Sequence, residues 1–572
     1  FTQSESCGKC APCRLGTTQL LKILTKITDG EGRMEDIQAL KDLGETITAT
    51  SLCGLGQTCA KPAISTLKYF TREYEDHIKE HRCSGAVCDS MVISACQHAC
   101  PAGIDVPNYV AAIACGNYAQ AVDIIRERNP FPAVCGRICI HPCETKCRRG
   151  ELDEAIAIRT LKRFASDWYF ENIGMAQEPF PVTNSQKVAV VGAGPAGLTC
   201  AYFLNRMGYK ASVFESQEIA GGMLGIAVPE FRLPREVIEE EVRYIESCGI
   251  DIQYNAPIDA SHTVNELLQE GFSAVFIAAG AQASKQMGIP GEELALDGLY
   301  YGLPFLTDIR CGEKIRLGGR VIVIGGGNVA FDTARTALRV GAQDVHIYYR
   351  RGIEEMPAWT KDIEEAIEEG VIIKPFWSPG KILHDHKKVT GIEFVGSRTI
   401  FEQDGTSYVK EDPEQLLKVD ADVIIIAVGQ APDASFLTKE SQLERSLWGS
   451  LEVDRNSLTT NVDGIFAGGD FITGPTTVIS AIASGRRAAI AIDHYLSGIK
   501  GPIKIVDEKT QFQETAGLAL ETESTEEMPR IQIKIENPTL RSKDFREVEK
   551  GFTEEQARIE AARCLRCDLE ER

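Results

Sequence analysis

The sequence predicts an α/β protein, with doubly wound dinucleotide-binding units behind a helical, cysteine-rich front. Three observations predict it. From Val188 to Gly498, short apolar strands alternate with helical stretches, and most of the strands end in a glycine; parallel strands covered on both faces read this way. Two of the strands run into glycine-rich turns that open helices. All but three of the 19 cysteines fall in the first 150 residues or the last ten.

Composition narrows the class. A chain of 572 residues has room for about three or four domains. A net charge of −21 argues against nucleic acid and anionic membrane surfaces as partners. There is neither a membrane-length apolar run nor a secretory signal at the start. Cysteines spaced CxxC and CxxxC beside nucleotide motifs favour metal ligation in the cytoplasm over a secreted disulfide scaffold. The chain starts at Phe1 and a cysteine motif follows within seven residues, so it is expected to continue a longer polypeptide.

The predicted domains follow in order. Residues 1–80 form a helical cluster domain, with amphipathic stretches at Thr17–Thr28, Met34–Thr48 and Pro62–Glu80. Residues 81–175 form a second helical cluster domain, with helices around Val106–Cys115 and Tyr118–Glu127. Residues 176–318 and 431–500 are two parts of one nucleotide-binding unit, and 319–430 are the other. Residues 501–572 comprise a linker, polar over Asp507–Pro529, and a helix, Thr553–Cys564, that folds back on the cluster domain.

The first turn is Gly192-Ala193-Gly194-Pro195-Ala196-Gly197, after VAVV and before a helix. Its glycines allow a tight turn and let the backbone approach a pyrophosphate at the helix N-terminus. The next strand ends in Glu215, an acid placed to bind ribose hydroxyls. The second turn, Gly325-Gly326-Gly327-Asn328-Val329-Ala330, follows RVIVI; here the next strand ends in Arg350 and Arg351. Guanidinium groups pair with a 2′-phosphate that a carboxylate would repel, so this site is expected to take NADP(H). A third element, GIFAGGD, contains Gly469 and Asp470.

Among the cysteines, Cys7, Cys10 and Cys13 with Cys53 have the spacing of a 4Fe–4S cluster, structural zinc being the alternative. Cys59, His77, Cys83 and Cys88 suit a zinc ion; an iron–sulfur site and free thiols remain open there. Cys200, Cys248 and Cys311 form no CxxC pair, which discounts a disulfide reductase.

The segments GGMLGIAVPEFRLPREV, GGGNVAFD, YYRRGIEEMPA and GGD resemble the glutamate synthase small subunit. They equally resemble the large subunit of ferredoxin-dependent NADH:NADP transhydrogenase and the N-terminal half of dihydropyrimidine dehydrogenase. The resemblance covers residues 90–500. It implies Rossmann-like domains with FAD at the first turn and NADPH at the second, and it places Gly222, Arg232, Gly469, Asp470 and Thr477 at the cofactor. It also implies two 4Fe–4S clusters in the second cysteine domain. One would be held by Cys96, Cys147, Cys564 and Cys567, the last two relocated to the C-terminus. The other would be held by Cys100, Cys139 and Cys143, with Lys162 where some relatives place a ligating Glu or Gln; Cys135 and Glu151 are the candidates for the fourth ligand. ESCGKCAPCRLGT and SLCGLGQ resemble the NADH-binding flavoprotein subunit of complex I and of hydrogenases.

Together these imply FAD, NADP(H) and three 4Fe–4S clusters, with zinc as one of the three readings of the Cys59 group. The resemblances also imply an NADH-oxidising FMN flavoprotein domain or subunit and a ferredoxin or ferredoxin-like subunit as partners, in a hetero-oligomer. The expected role is the NADP(H)-handling subunit of an electron-bifurcating NADH/ferredoxin:NADP+ transhydrogenase. A diaphorase subunit of an NADP-dependent formate dehydrogenase or hydrogenase, a glutamate synthase-like small subunit and a pure relay subunit are the alternatives. Hydride exchange needs no acid–base residue, and none is assigned.

Overall fold

A computed structural model describes residues 2–79, 83, 88, 92, 94–174, 177–402, 406–438, 441–446, 449–499 and 527–569. Most of the expected linker, 507–526, lies outside the described residues.

Two five-stranded parallel sheets form the centre. The first has the spatial order Ile465–Ala467, Ala274–Ile277, Lys187–Val191, Lys210–Phe214, Asp251–Gln253. The second has the order Leu299–Tyr301, Val423–Ile426, Arg320–Ile324, Asp344–Tyr349, Ile372–Pro375. Strands Ala274–Ile277 and Val423–Ile426 are buried along their whole length, as continuous apolar runs in covered parallel sheets must be. The chain leaves the first sheet and returns to it through paired segments, Ala283–Ser284 against Gln430–Ala431. Strand Leu299–Tyr301 pairs in the second sheet, although the expected boundary at 318 puts it in the first unit.

A three-stranded antiparallel sheet, Trp377–Asp385, Lys388–Phe401 and Ser407–Asp420, extends the second unit and was not expected. In front, helices Ala11–Thr28, Met34–Thr50, Lys61–Tyr69 and Thr71–Lys79 enclose a small core of Leu20, Ile27, Leu40, Ile47 and Leu67. The single helix expected over Pro62–Glu80 is broken at Phe70, whose backbone leaves the helical region.

The second cysteine domain does not stand apart. Helices Val106–Ala114, Tyr118–Arg126, Pro132–Ile138 and Ile158–Asn172 share one core with the first nucleotide unit, from Ala102 to Leu204, and the C-terminal residues Phe552, Ala557 and Ala561 join it. Each large apolar side chain buried there, such as Phe131, contributes about 1.5–3 kcal/mol. No described helix is long and apolar enough to cross a membrane.

Candidate functional site: two nucleotide turns and a field of cysteines

Gly192 and Gly197 in the first turn leave no room for a side chain. Gly192 has φ +100°, and a Cβ there would lie 2.7 Å from the Ala278 carbonyl oxygen. A Cβ on Gly197 would lie 2.0 Å from the Gly192 oxygen, so the helix Pro195–Arg206 packs directly on the turn. Gly222 faces this turn; a Cβ there would lie 3.0 Å from the Gly194 Cα. Gly469 closes the third side, where a Cβ would come within 2.8 Å of the Ala196 Cβ. Three distant segments thus leave a cradle free of side chains at a helix N-terminus, which fits a dinucleotide pyrophosphate.

Around that cradle, Glu215 accepts hydrogen bonds from the Ala193 N–H at 2.7 Å and the Gln217 N–H at 2.9 Å, which hold its carboxylate at the turn. The Asp470 carboxylate accepts from the Thr476 N–H at 3.0 Å and hydroxyl at 2.6 Å, and burial raises its pKa. Thr477 caps the helix Val478–Leu496 and accepts from the Ser480 N–H. The Arg232 guanidinium pairs with Asp332 at 2.8 Å and Asp362 at 3.1 Å, both on the second unit, and so fastens the two units together.

The second turn repeats the plan. Gly325 has φ +146°, with a Cβ position 2.2 Å from the Ala427 oxygen, and Gly326 lies against the Tyr349 ring. Gly327 precedes the helix Asn328–Arg339. Asn328 accepts from the Trp359 N–H at 3.1 Å, and Val329 packs beside Gly302. Arg350 is exposed and Arg351 half-buried, 3.9 Å from Glu355. Both follow the strand whose Tyr349 covers the turn.

Four cysteine groups emerge. Cys10 and Cys53 each precede a helix, Ala11–Thr28 and Gly54–Thr58, and backbone bonds from Leu52 and Cys13 lower the Cys10 thiol pKa. The Leu52–Cys53 loop therefore lies against the Cys7–Cys13 loop, a donor set that fits a cluster. The Cys564, Cys147 and Cys567 thiols lie near enough to Cys96 to act on its charge. Burial pushes the Cys564 thiol up to about 12, so ligation there goes with loss of its proton. The C-terminal helix Glu554–Ala562 is held in place by Glu560, which accepts from the Ala157 N–H at 2.8 Å, and by Arg563, which meets Asp153 at 3.0 Å. Cys100, Cys139 and Cys143 gather around buried Lys162.

In the fourth group, the ligand atoms of His77, Cys83 and Cys88 lie within 4.8 Å of one another. The Nδ1 of His77 lies 2.7 Å from the Glu73 carbonyl oxygen, which leaves Nε2 to face Cys88 at 3.3 Å. Three such ligands fit zinc with one open position. The expected fourth member, Cys59, is not among them. It sits at the end of the helix that starts beside Cys53 and feels the charges of Cys13 and Cys10, so it belongs beside the first group. Of the three middle cysteines, Cys200 and Cys248 are buried and Cys311 is exposed, and all three are unpaired.

Comparison with known proteins agrees with this layout. The family model for pyridine nucleotide-disulphide oxidoreductases matches residues 186–485. The NADH-ubiquinone oxidoreductase-F iron–sulfur binding region matches 1–77, and dihydropyrimidine dehydrogenase domain II, 4Fe-4S cluster, matches 63–173. The beta subunit of an NADP(+)-dependent formate dehydrogenase from Moorella thermoacetica is 36% identical, over 99% of this chain and 88% of its own length. The beta subunit of an NADPH-Fe(3+) oxidoreductase from Geobacter sulfurreducens is 34% identical, over 98% and 88%. The Escherichia coli glutamate synthase [NADPH] small chain is 33% identical, over 70% and 88%. The chain belongs to the pyridine nucleotide-disulphide oxidoreductase family, as an NAD(P)H-dependent flavin oxidoreductase with iron–sulfur domains at its front.

Proposed function

We propose that this chain is the NADP(H)-handling diaphorase subunit of a multi-subunit electron-transfer complex, exchanging electrons between NADP(H) and a partner through its clusters. FAD would lie on the Gly192–Gly197 turn and supply the conversion of a hydride into single electrons. This chain's residues bind and orient: Glu215 and Asp470 border the flavin cradle, Arg350 and Arg351 select the 2′-phosphate, and the cysteine groups hold the clusters. The observation that carries the reading is the shared core, which fixes the Cys96 and Cys100 groups to the unit bearing the first turn.

Relatives matched over nearly the whole chain are beta subunits, which favours a diaphorase subunit over an electron-bifurcating transhydrogenase. The Cys7–Cys53 group at the front offers a contact towards an FMN flavoprotein or ferredoxin-like partner. The test is viologen reduction by the FAD- and cluster-reconstituted full chain. Activity with NADPH well above that with NADH is expected. Absence of NADPH-driven reduction, in protein whose flavin and iron contents are complete, refutes the reading.

A further inference from the structure

We infer that Thr399 and Ser397, on the three-stranded antiparallel sheet, are positioning residues that set the preference for NADP(H) over NAD(H). They do so by holding the loop that carries Arg350 and Arg351. This rests on the reading of those two arginines as the 2′-phosphate residues.

The loop is tied to the sheet through its backbone. The Ser397 hydroxyl donates to the Arg350 carbonyl at 2.8 Å. The Phe376 N–H donates to the Arg351 carbonyl at 3.2 Å, and the Phe376 carbonyl accepts from the Ser397 N–H at 2.9 Å. Phe376 makes both bonds from a φ of +65°, a left-handed conformation that a bulky side chain rarely takes. Such strain persists only where the surroundings over-determine it.

Glu355 is a second tie. The Thr399 hydroxyl donates to its carboxylate, 2.7 and 2.9 Å from the two oxygens. The Gly352 N–H donates to the same carboxylate at 3.0 Å. The Gly352 N–H and the Thr399 hydroxyl hold the carboxyl below its usual range. The Glu355 carbonyl accepts from the Tyr349 hydroxyl at 3.1 Å, and the Tyr349 ring covers Gly326. Arg351 lies 3.9 Å from the anchored carboxylate. One acid thus joins the glycine turn, the arginine loop and the strand Lys388–Phe401. Ser397 and Thr399 are two residues apart on that strand and so share a face, whereas Arg398 between them is exposed.

Two arginines on a free loop would lose backbone freedom when a phosphate binds; a loop already held loses less. A carboxylate free to turn would repel that phosphate, and its two donors keep Glu355 directed at Gly352 and the sheet. Both effects fall on the 2′-phosphate alone, which NADH lacks.

The experiment titrates 2′,5′-ADP and 5′-ADP into the FAD-loaded full chain by calorimetry, with KM and kcat for NADPH and NADH measured alongside. Thr399→Val should weaken 2′,5′-ADP about three- to tenfold and leave 5′-ADP unchanged. The KM for NADPH should rise by the same factor, with its kcat and the KM for NADH unmoved. Thr399→Ser keeps the hydroxyl and should bind both ligands as the wild type does. If Thr399→Val yields no folded protein, Ser397→Ala is read in the same way. Unchanged binding of 2′,5′-ADP, or an equal loss for both ligands, overturns the inference. Arg351→Ala separates the two levels: if it too leaves 2′,5′-ADP binding unchanged, the reading of the arginine loop itself is overturned.

Discussion

Glu369→Gln should loosen the joint between the C-terminal arm and the second nucleotide unit. Glu369 receives Arg335 at 2.7 Å, Arg339 at 2.7 Å and Arg541 at 2.9 Å, and all three guanidinium groups are at most 1% exposed. Burial would raise its carboxyl, but Arg335 and Arg339 outweigh it and bring the pKa from the ordinary 4.5 down to about 2. At 1.36 kcal/mol per pH unit, that displacement is worth about 3 kcal/mol to the folded state. Because the folded pKa is depressed, the contribution is present above about pH 4.5 and lost as pH falls toward 2. The amide keeps the shape and leaves three buried cations facing it, a change that costs about 3–5 kcal/mol. Glu365 and Glu368, each 2.9 Å from one of these arginines, keep the loss near the lower end. Hydrogen exchange read by mass spectrometry localises the effect. Peptides spanning 328–369 and 538–546 should exchange about a hundredfold faster at pH 7 in the variant, while peptides of the first sheet keep their rates. Unchanged exchange in both segments would refute the assignment of this carboxylate as the fastening point.

The other predictions concern cofactors. Arg351→Ala should raise the KM for NADPH about tenfold or more and leave that for NADH unchanged, because a charge-assisted bond to the 2′-phosphate is lost. Gly469→Val should abolish FAD retention, measured by flavin absorbance, since its Cβ would already crowd Ala196. Cys564→Ser should lose about four irons and one reduced-cluster EPR signal. Cys88→Ser should lose bound zinc and Cys59→Ser should keep it, read by elemental analysis.

Local features were legible in the sequence. Both turns could be read because strand, glycines and helix are contiguous, and the return of Cys564 and Cys567 because their motif is intact though displaced. Position in three dimensions was harder to read. Donor type groups Cys59 with His77, Cys83 and Cys88, yet the short helix Gly54–Thr58 holds it beside the Cys53 group. Arg232 lies in a cofactor-like segment, but its partners, Asp332 and Asp362, are far away in sequence. The strand Ser407–Asp420 was missed because it is largely exposed and reads as polar, with little apolar alternation to mark it.

The docked C-terminal helix also bears on biosynthesis. The Cys96 group is complete only when Cys564 and Cys567 have been translated, so a ribosome-bound or prematurely terminated chain presents two of the four thiols. That thiol set therefore comes together only once the helix Glu554–Ala562 has docked on Ala157, after both nucleotide units have been synthesised. Proteins that deliver clusters would meet four thiols there only at that stage.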